Sequence, residues 1–82
     1  NDRVLEGGEV ELFEVMVMRD SNFVGQTLKT LRFRQNHDLT VLAINRHGET
    51  IIETLSSTSL RFGDVLLVQG KRRTIEPLVA AG

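Results

Sequence analysis

The sequence predicts an α+β domain, a small, mostly antiparallel β-sheet with short helices laid against it. Three observations lead there. Stretches rich in Val, Leu and Ile recur at 10–18, 39–46, 49–54 and 64–69, each too short for an ordinary globular helix. Between the second and third, Asn45-Arg46-His47-Gly48-Glu49-Thr50 carries hairpin chemistry, since Gly48 can take the positive φ of a tight turn. Apolar spacing of the helical kind occurs only in short pieces, near 27–31 and 72–79.

Size agrees with that architecture. The chain has 82 residues, which is one domain. A domain this small buries roughly 60% of the surface its unfolded chain exposes, so the core must be thin. Hydrophobic residues are 40% of the total, with no Trp or Tyr and only four Phe. The core must come mainly from Val, Leu and Ile, residues that suit a pleated sheet with one buried face.

Along the chain, residues 1–9 read as a linker ending at the flexible pair Gly7-Gly8. Val10–Met18 alternate as a strand, with Phe13, Val15 and Val17 on one face and an irregularity expected near Leu12. Asp20-Ser21-Asn22 is turn chemistry, after which Phe23 turns inward. Thr27 is placed to cap a short helix, and Leu28 and Leu31 fall on one side of it. Phe33 docks beside that helix, and 34–38 reads as a polar loop. Leu39–Arg46 is the clearest strand. Leu39, Val41 and Ala43 lie on one side and Leu42 and Ile44 on the other, so both faces are apolar and the strand is central or covered by a partner. Gly63-Asp64 turns the chain into the last strand, with Asp64 accepting backbone donors. Thr74 would cap a final helix with Pro77 at its third position. The expected core is Val15, Val17, Phe23, Leu28, Leu31, Phe33, Val41, Ala43, Leu60, Val65, Leu67 and Leu78.

The composition excludes several function classes. Cysteine is absent, which removes disulfides and thiolate zinc sites, and His37 and His47 have no metal-ligand spacing. Neither a metal nor a cofactor is expected. The formal net charge is −1, so no basic excess points to a nucleic-acid polymer. Charge is uneven, with Asp2, Glu6, Glu9, Glu11 and Glu14 near the start and Lys71-Arg72-Arg73 near the end. No apolar run is longer than four residues, as in Val41-Leu42-Ala43-Ile44, so no bilayer span is present. The start at Asn1-Asp2-Arg3, without Met, suggests a piece of a longer chain. The serines lack a His and carboxylate neighbourhood, and the glycine-rich nucleotide loops are missing, so no enzyme activity is expected.

Three marks then fall in a distinctive order. Ser21, Gly25, Thr27 and Leu28 form S-x-x-x-G-x-T-L, Val41–Gly48 reads V-L-A-I-x-R-x-G, and Leu60–Gly70 reads L-x-x-G-D-V-L-L-V-x-G. Over about residues 12–79 the chain resembles a TrkA-C domain, the C-terminal subdomain of the RCK or KTN regulators of potassium channels and transporters. That subdomain also occurs as an insert in anion and dicarboxylate permease-like transporters. The resemblance implies a regulatory domain at 10–80, on the cytoplasmic side of an integral membrane protein that transports potassium or another cation. It implies a homodimer, a transmembrane portion of the parent as partner, and a small anionic or cyclic dinucleotide ligand between subunits. A purely structural assembly domain of an anion or dicarboxylate permease, with no small ligand, is the alternative. A nucleic-acid-binding β module is the third reading, opposed by the charge.

Candidate site residues follow. Arg32 and Arg34 flank Phe33 and can grip a phosphate or carboxylate. Asn36 and Arg46 complete the candidate ligand set, each with a plain reading as a surface or ion-paired residue beside it. Leu42 and Ile44, facing away from Val41 and Ala43, form the expected dimer contact together with Met16. The acidic start and the Lys71–Arg73 run would steer the encounter.

Overall fold

In the computed structural model, residues 9–81 are described. The expected linker lies outside the described residues except for Glu9. The elements are β1 (Val10–Met16), α1 (Leu28–Leu31), α2 (Phe33–His37), β2 (Thr40–Arg46), β3 (Glu49–Ile51), a 3-10 turn (Leu55–Ser57), β4 (Val65–Lys71) and α3 (Arg72–Ala81). The four strands form one antiparallel sheet in the order β1-β4-β2-β3. β2 is central, as its two apolar sides require. The helices lie against one face of the sheet, with α3 packed on β1 and β4 and α2 packed on β2 and α3.

Local chemistry explains most element ends. Thr27 caps α1 in a reciprocal box: its hydroxyl accepts from the Thr30 amide at 3.1 Å, and the Thr30 hydroxyl accepts from the Thr27 amide at 3.0 Å. His47 and Gly48 both take positive φ, at 51° and 83°, which a two-residue hairpin of primed type needs. Gly48 also donates its amide to Asn45 Oδ1 at 3.1 Å. The Ser21 hydroxyl accepts from the Phe23 amide at 2.9 Å and holds the turn that drives Phe23 into the core.

Several expectations need correction. β1 ends at Met16 because Val17 leaves the ladder to exchange bonds with the last turn: its amide donates to Asp64 O and its carbonyl accepts from Gly63, both at 2.8 Å. The β1–β4 register runs without a break from Val10 to Met16, so nothing irregular happens at Leu12. Most of the polar stretch 34–38, expected as a loop, belongs to a second helix, α2, which starts at buried Phe33 and ends at His37. β3 stops at Ile51 rather than 54. α3 begins at Arg72 straight from β4. Thr74 is therefore inside it, donating its hydroxyl to Lys71 O at 2.7 Å, and Pro77 sits in its interior.

The largest correction concerns side. β2 carries a bulge: Val41 pairs with Val68, yet Ala43 pairs with Leu67, leaving Leu42 as the extra residue. The bulge puts Val41 and Ile44 on the same face, opposite Val68 and Leu66. Ile44, expected in a dimer contact, is 0% exposed in the helix-covered core. In β4 the inward residues are Leu66 and Val68, both fully buried. Val65 and Leu67, expected in the core, are half-buried on the other face. Val17, Phe23, Phe33, Leu60 and Leu78 are in the core as expected, with Val15, Leu28, Leu31 and Val41 packed partly buried against it. Ala43 is buried but on the outer side of the bulge. That outer face carries Val10, Leu12 and Met16 from β1, with Glu14 between them, beside Val65 and Leu67. Among the described residues, no helix covers this part of β1: Leu12 is 61% exposed and Met16 53%.

Candidate functional site

The site is built at the margin of β2, where β3 no longer accompanies it. β3 pairs only with Ile44, Asn45 and Arg46, below the bulge. Above it, Thr40 and Val41 face an open groove of about 820 Å3. The opposite wall comes from α1 and α2, and the far rim from Ile52, Glu53 and the 3-10 turn. The groove's apolar floor includes Leu28, Phe33, Leu39, Val41 and Leu55. Its rim holds three cations, Lys29, Arg32 and Arg34, against one acid, Glu53.

The helical wall owes its shape to Arg32. This residue ends α1 and precedes α2 in the left-handed conformation, φ 52° and ψ 53°, with its amide bonded to Leu28 O at 2.9 Å. Asp38, also left-handed at φ 54°, ends α2. Between them Phe33 is pinned edge-on to Phe23 and to His37, each at a centroid distance of 5.3 Å. Phe33 points inward, and Arg32 and Arg34 on either side of it are exposed at the rim.

Of the four residues expected to bind ligand, Arg32 and Arg34 are brought together here. The other two have structural jobs. Asn36 donates its side-chain amide to Leu31 O at 2.8 Å, closing the end of α1. Arg46 makes a bidentate pair with Asp64, Nε to Oδ1 and Nη2 to Oδ2, each at 2.9 Å, and Nη2 also donates to Ser59 O at 2.8 Å. Asp64, 1% exposed, accepts in addition from the Arg61 amide at 2.9 Å. Burial pushes the Asp64 carboxyl up. The Arg46 hydrogen bonds, the Arg61 amide and the two nearby positive charges outweigh it and hold the carboxyl below its ordinary value. Its bond to Asp64 raises the Arg46 guanidinium in turn. Arg46 thus holds the β4 turn. Of the expected dimer residues, Met16 lies on the open sheet face and Leu42, 36% exposed, at the bulge, whereas Ile44 is interior.

The sequence reading missed Lys29 and Glu53. Lys29 was within reach, since it stands inside the expected helix at 27–31, three residues before Arg32. Glu53 was placed in a strand that ends before it. Among the described residues, no three His, Cys, Asp or Glu side chains are grouped to hold a metal ion, and no helix is long and apolar enough to cross a membrane.

A four-stranded antiparallel sheet, clothed by helices on one face and bearing a cationic groove at its margin, defines a small α+β domain. The chain belongs to the TrkA-C domain family, whose model matches residues 12–80. An uncharacterised transporter of Synechocystis is 46% identical over 70 residues, which is 85% of this chain and 11% of that protein. An uncharacterised transporter of Escherichia coli is 27% identical over 74 residues, 90% of this chain and 12% of that protein. The chain thus spans 11% and 12% of the length of these two relatives. Among solved structures, the RCK_C domain dimer of S. agalactiae BusR in complex with c-di-AMP has a TM-score of 0.78 at 20% identity, covering 90% of this chain and 91% of that one. The RCK C domain of the potassium transport protein KtrA, also in complex with c-di-AMP, has a TM-score of 0.78 at 23% identity, covering 90% and 85%. At such identities the likeness is one of fold.

Proposed function

We propose that residues 10–80, joined to the rest of the protein through the linker at 1–9, are the ligand-sensing and dimerising regulatory domain of a membrane transporter. In this reading the domain sits on the cytoplasmic side, and an anionic ligand of the cyclic dinucleotide class occupies the groove. The observation that carries it is the groove itself: an apolar floor able to take flat rings, under a rim of three cations and one acid. That combination suits a ligand with aromatic bases and phosphates. The c-di-AMP complexes of the BusR and KtrA domains support the same class. The parent carries a cation, potassium among them, a reading supported by the KtrA neighbour being a potassium transport protein.

Two copies associate through the open sheet face, with Leu12, Met16 and Leu67 at the contact and Leu42 at its edge. An uncovered apolar strip on a thin domain is stabilised by a self-complementary partner, and a two-fold pair closes without further growth. Isothermal titration of the isolated domain with c-di-AMP is expected to show saturable binding at about one ligand per chain, since each copy carries its own groove, weakened at least tenfold by Arg34→Ala. Absence of binding at millimolar ligand would overturn the sensing role. The uncovered sheet face favours the second reading in that case, an assembly domain without a small ligand.

A further inference from the structure

Sulfur occurs at two places in the chain, Met16 and Met18, and there is no Cys, Trp or Tyr. Methionine is among the residue types most often fully buried. Both here stand outside: Met16 is 53% exposed and Met18 57%, on either side of Val17 at 1%. The described core is filled by Val, Leu, Ile, Phe and Ala, and neither thioether belongs to it. Met16 closes the apolar strip of the outer sheet face, two residues beyond Glu14 and opposite Val65. A two-electron oxidant that meets this domain finds its soft, exposed targets together at one end of β1.

We infer that Met16 and Met18 form an oxidation site, and that their conversion to sulfoxides loosens the pairing of two copies through the open sheet face. The inference rests on the pairing proposed above and adds its regulation. The oxidant is a peroxide. The Met sulfur attacks one peroxide oxygen, so that an S–O bond forms and the O–O bond breaks. Sulfur gives up an electron pair, and with hydrogen peroxide the departing oxygen takes the leftover proton and leaves as water. A thioether in the contact is apolar and adapts its shape to a partner. A sulfoxide is polar and accepts hydrogen bonds, so burying it is costly unless a donor meets it. Beside Met16 on this face, Val65 and the ionised Glu14 carry no side-chain donor. In the single copy both sulfurs are within reach of the oxidant, and the core, which holds neither, survives the change. The step is reversible, because methionine sulfoxide reductases return the thioether.

The 82-residue chain, treated with dilute hydrogen peroxide, is compared with untreated chain by mass spectrometry, circular dichroism and sedimentation equilibrium. One oxygen atom is expected on each Met, with the spectrum of the folded chain retained. The dimer dissociation constant is expected to rise about tenfold, and to fall back after incubation with methionine sulfoxide reductases and a dithiol. The double variant Met16→Leu with Met18→Leu has no thioether and is compared only with itself. Its dissociation constant is expected to be the same with and without peroxide. Equal association of oxidised and untreated wild type would overturn the inference and leave the pairing standing. So would an equal response of the double variant, which moves the sensitive group elsewhere, or loss of the folded spectrum on oxidation. An untreated chain that sediments as a monomer even at millimolar concentration removes the pairing and this inference together.

Discussion

Replacing Asp64 by Ala tests the account of what holds the lower end of the sheet. In the native chain, the carboxylate accepts two hydrogen bonds from Arg46 and one from the Arg61 amide while itself 1% exposed. Alanine leaves the Arg46 guanidinium, whose side chain is only 16% exposed, with Ser59 O as its remaining partner. It also leaves the Arg61 amide without its acceptor. Breaking a buried ion pair by removing one member costs about 3–5 kcal/mol. The retained Ser59 bond and the partial exposure of Arg46 put this case near the lower end, about 3 kcal/mol. For a domain of 82 residues the whole stability is roughly 4–12 kcal/mol, so the loss is a large share of it. Urea denaturation followed by circular dichroism reads the change directly. Arg46→Ala and the double variant complete a cycle whose coupling should exceed about 1 kcal/mol. The pH dependence gives an independent sign. Because the folded Asp64 carboxyl is held below its ordinary value, its contribution is fully present above the unfolded carboxylate pKa of about 3.9. It is lost as pH falls below that value through the lower folded one, and this part of the acid transition should vanish in Asp64→Ala. A loss under about 0.5 kcal/mol, or an unchanged acid limb in the variant, refutes the reasoning.

Other outcomes follow from the corrected faces of the sheet. Leu66→Ala should cost about 2–5 kcal/mol and Leu67→Ala clearly less in denaturant titrations of the monomer, because only Leu66 lies under the helices. Ile44→Asp should unfold the domain rather than split a dimer, as judged by loss of the amide dispersion in NMR spectra. Met16→Asp should leave the domain folded but monomeric in sedimentation equilibrium at micromolar concentration; a dimer that persists moves the contact away from the open face. Gly70→Ala would place a Cβ 3.0 Å from Leu39 Cβ, and the crowding should cost about 1–3 kcal/mol in thermal or urea unfolding.

What could be read from the sequence was governed by local chemistry. The His47-Gly48 hairpin, the Thr27 cap and the Asp64 turn were legible because each is decided by a few neighbouring residues and their hydrogen bonds. The short helix α2 was hidden because its residues are polar and its only anchor, Phe33, had already been assigned to pack beside α1. The faces of β4 could not be read from Val65-Leu66-Leu67-Val68, where apolar residues occupy both parities. The bulge at Leu42 left no composition signal at all, since Val41-Leu42-Ala43-Ile44 is uniformly apolar. Arg32 and Arg34 were found at the groove because a buried aromatic between two arginines leaves both outside. Arg46 reads from sequence as a solvated or ion-paired strand residue ahead of a ligand contact, but its partner Asp64 stands eighteen residues away, outside any local pattern.

The bulge at Leu42 also changes how this chain should be lined up with its relatives. Its one extra residue shifts every later residue of β2 by one place relative to β4, so a relative without it would need a gap at this point. Matched without that gap, Ile44 would stand against a residue that faces outward, and the two would look interchangeable because both are apolar. One would be a core residue and the other a surface residue. Any transfer of roles across position 42 therefore depends on first locating the gap, and a substitution tolerated in one relative predicts tolerance in another only when both carry the same insertion.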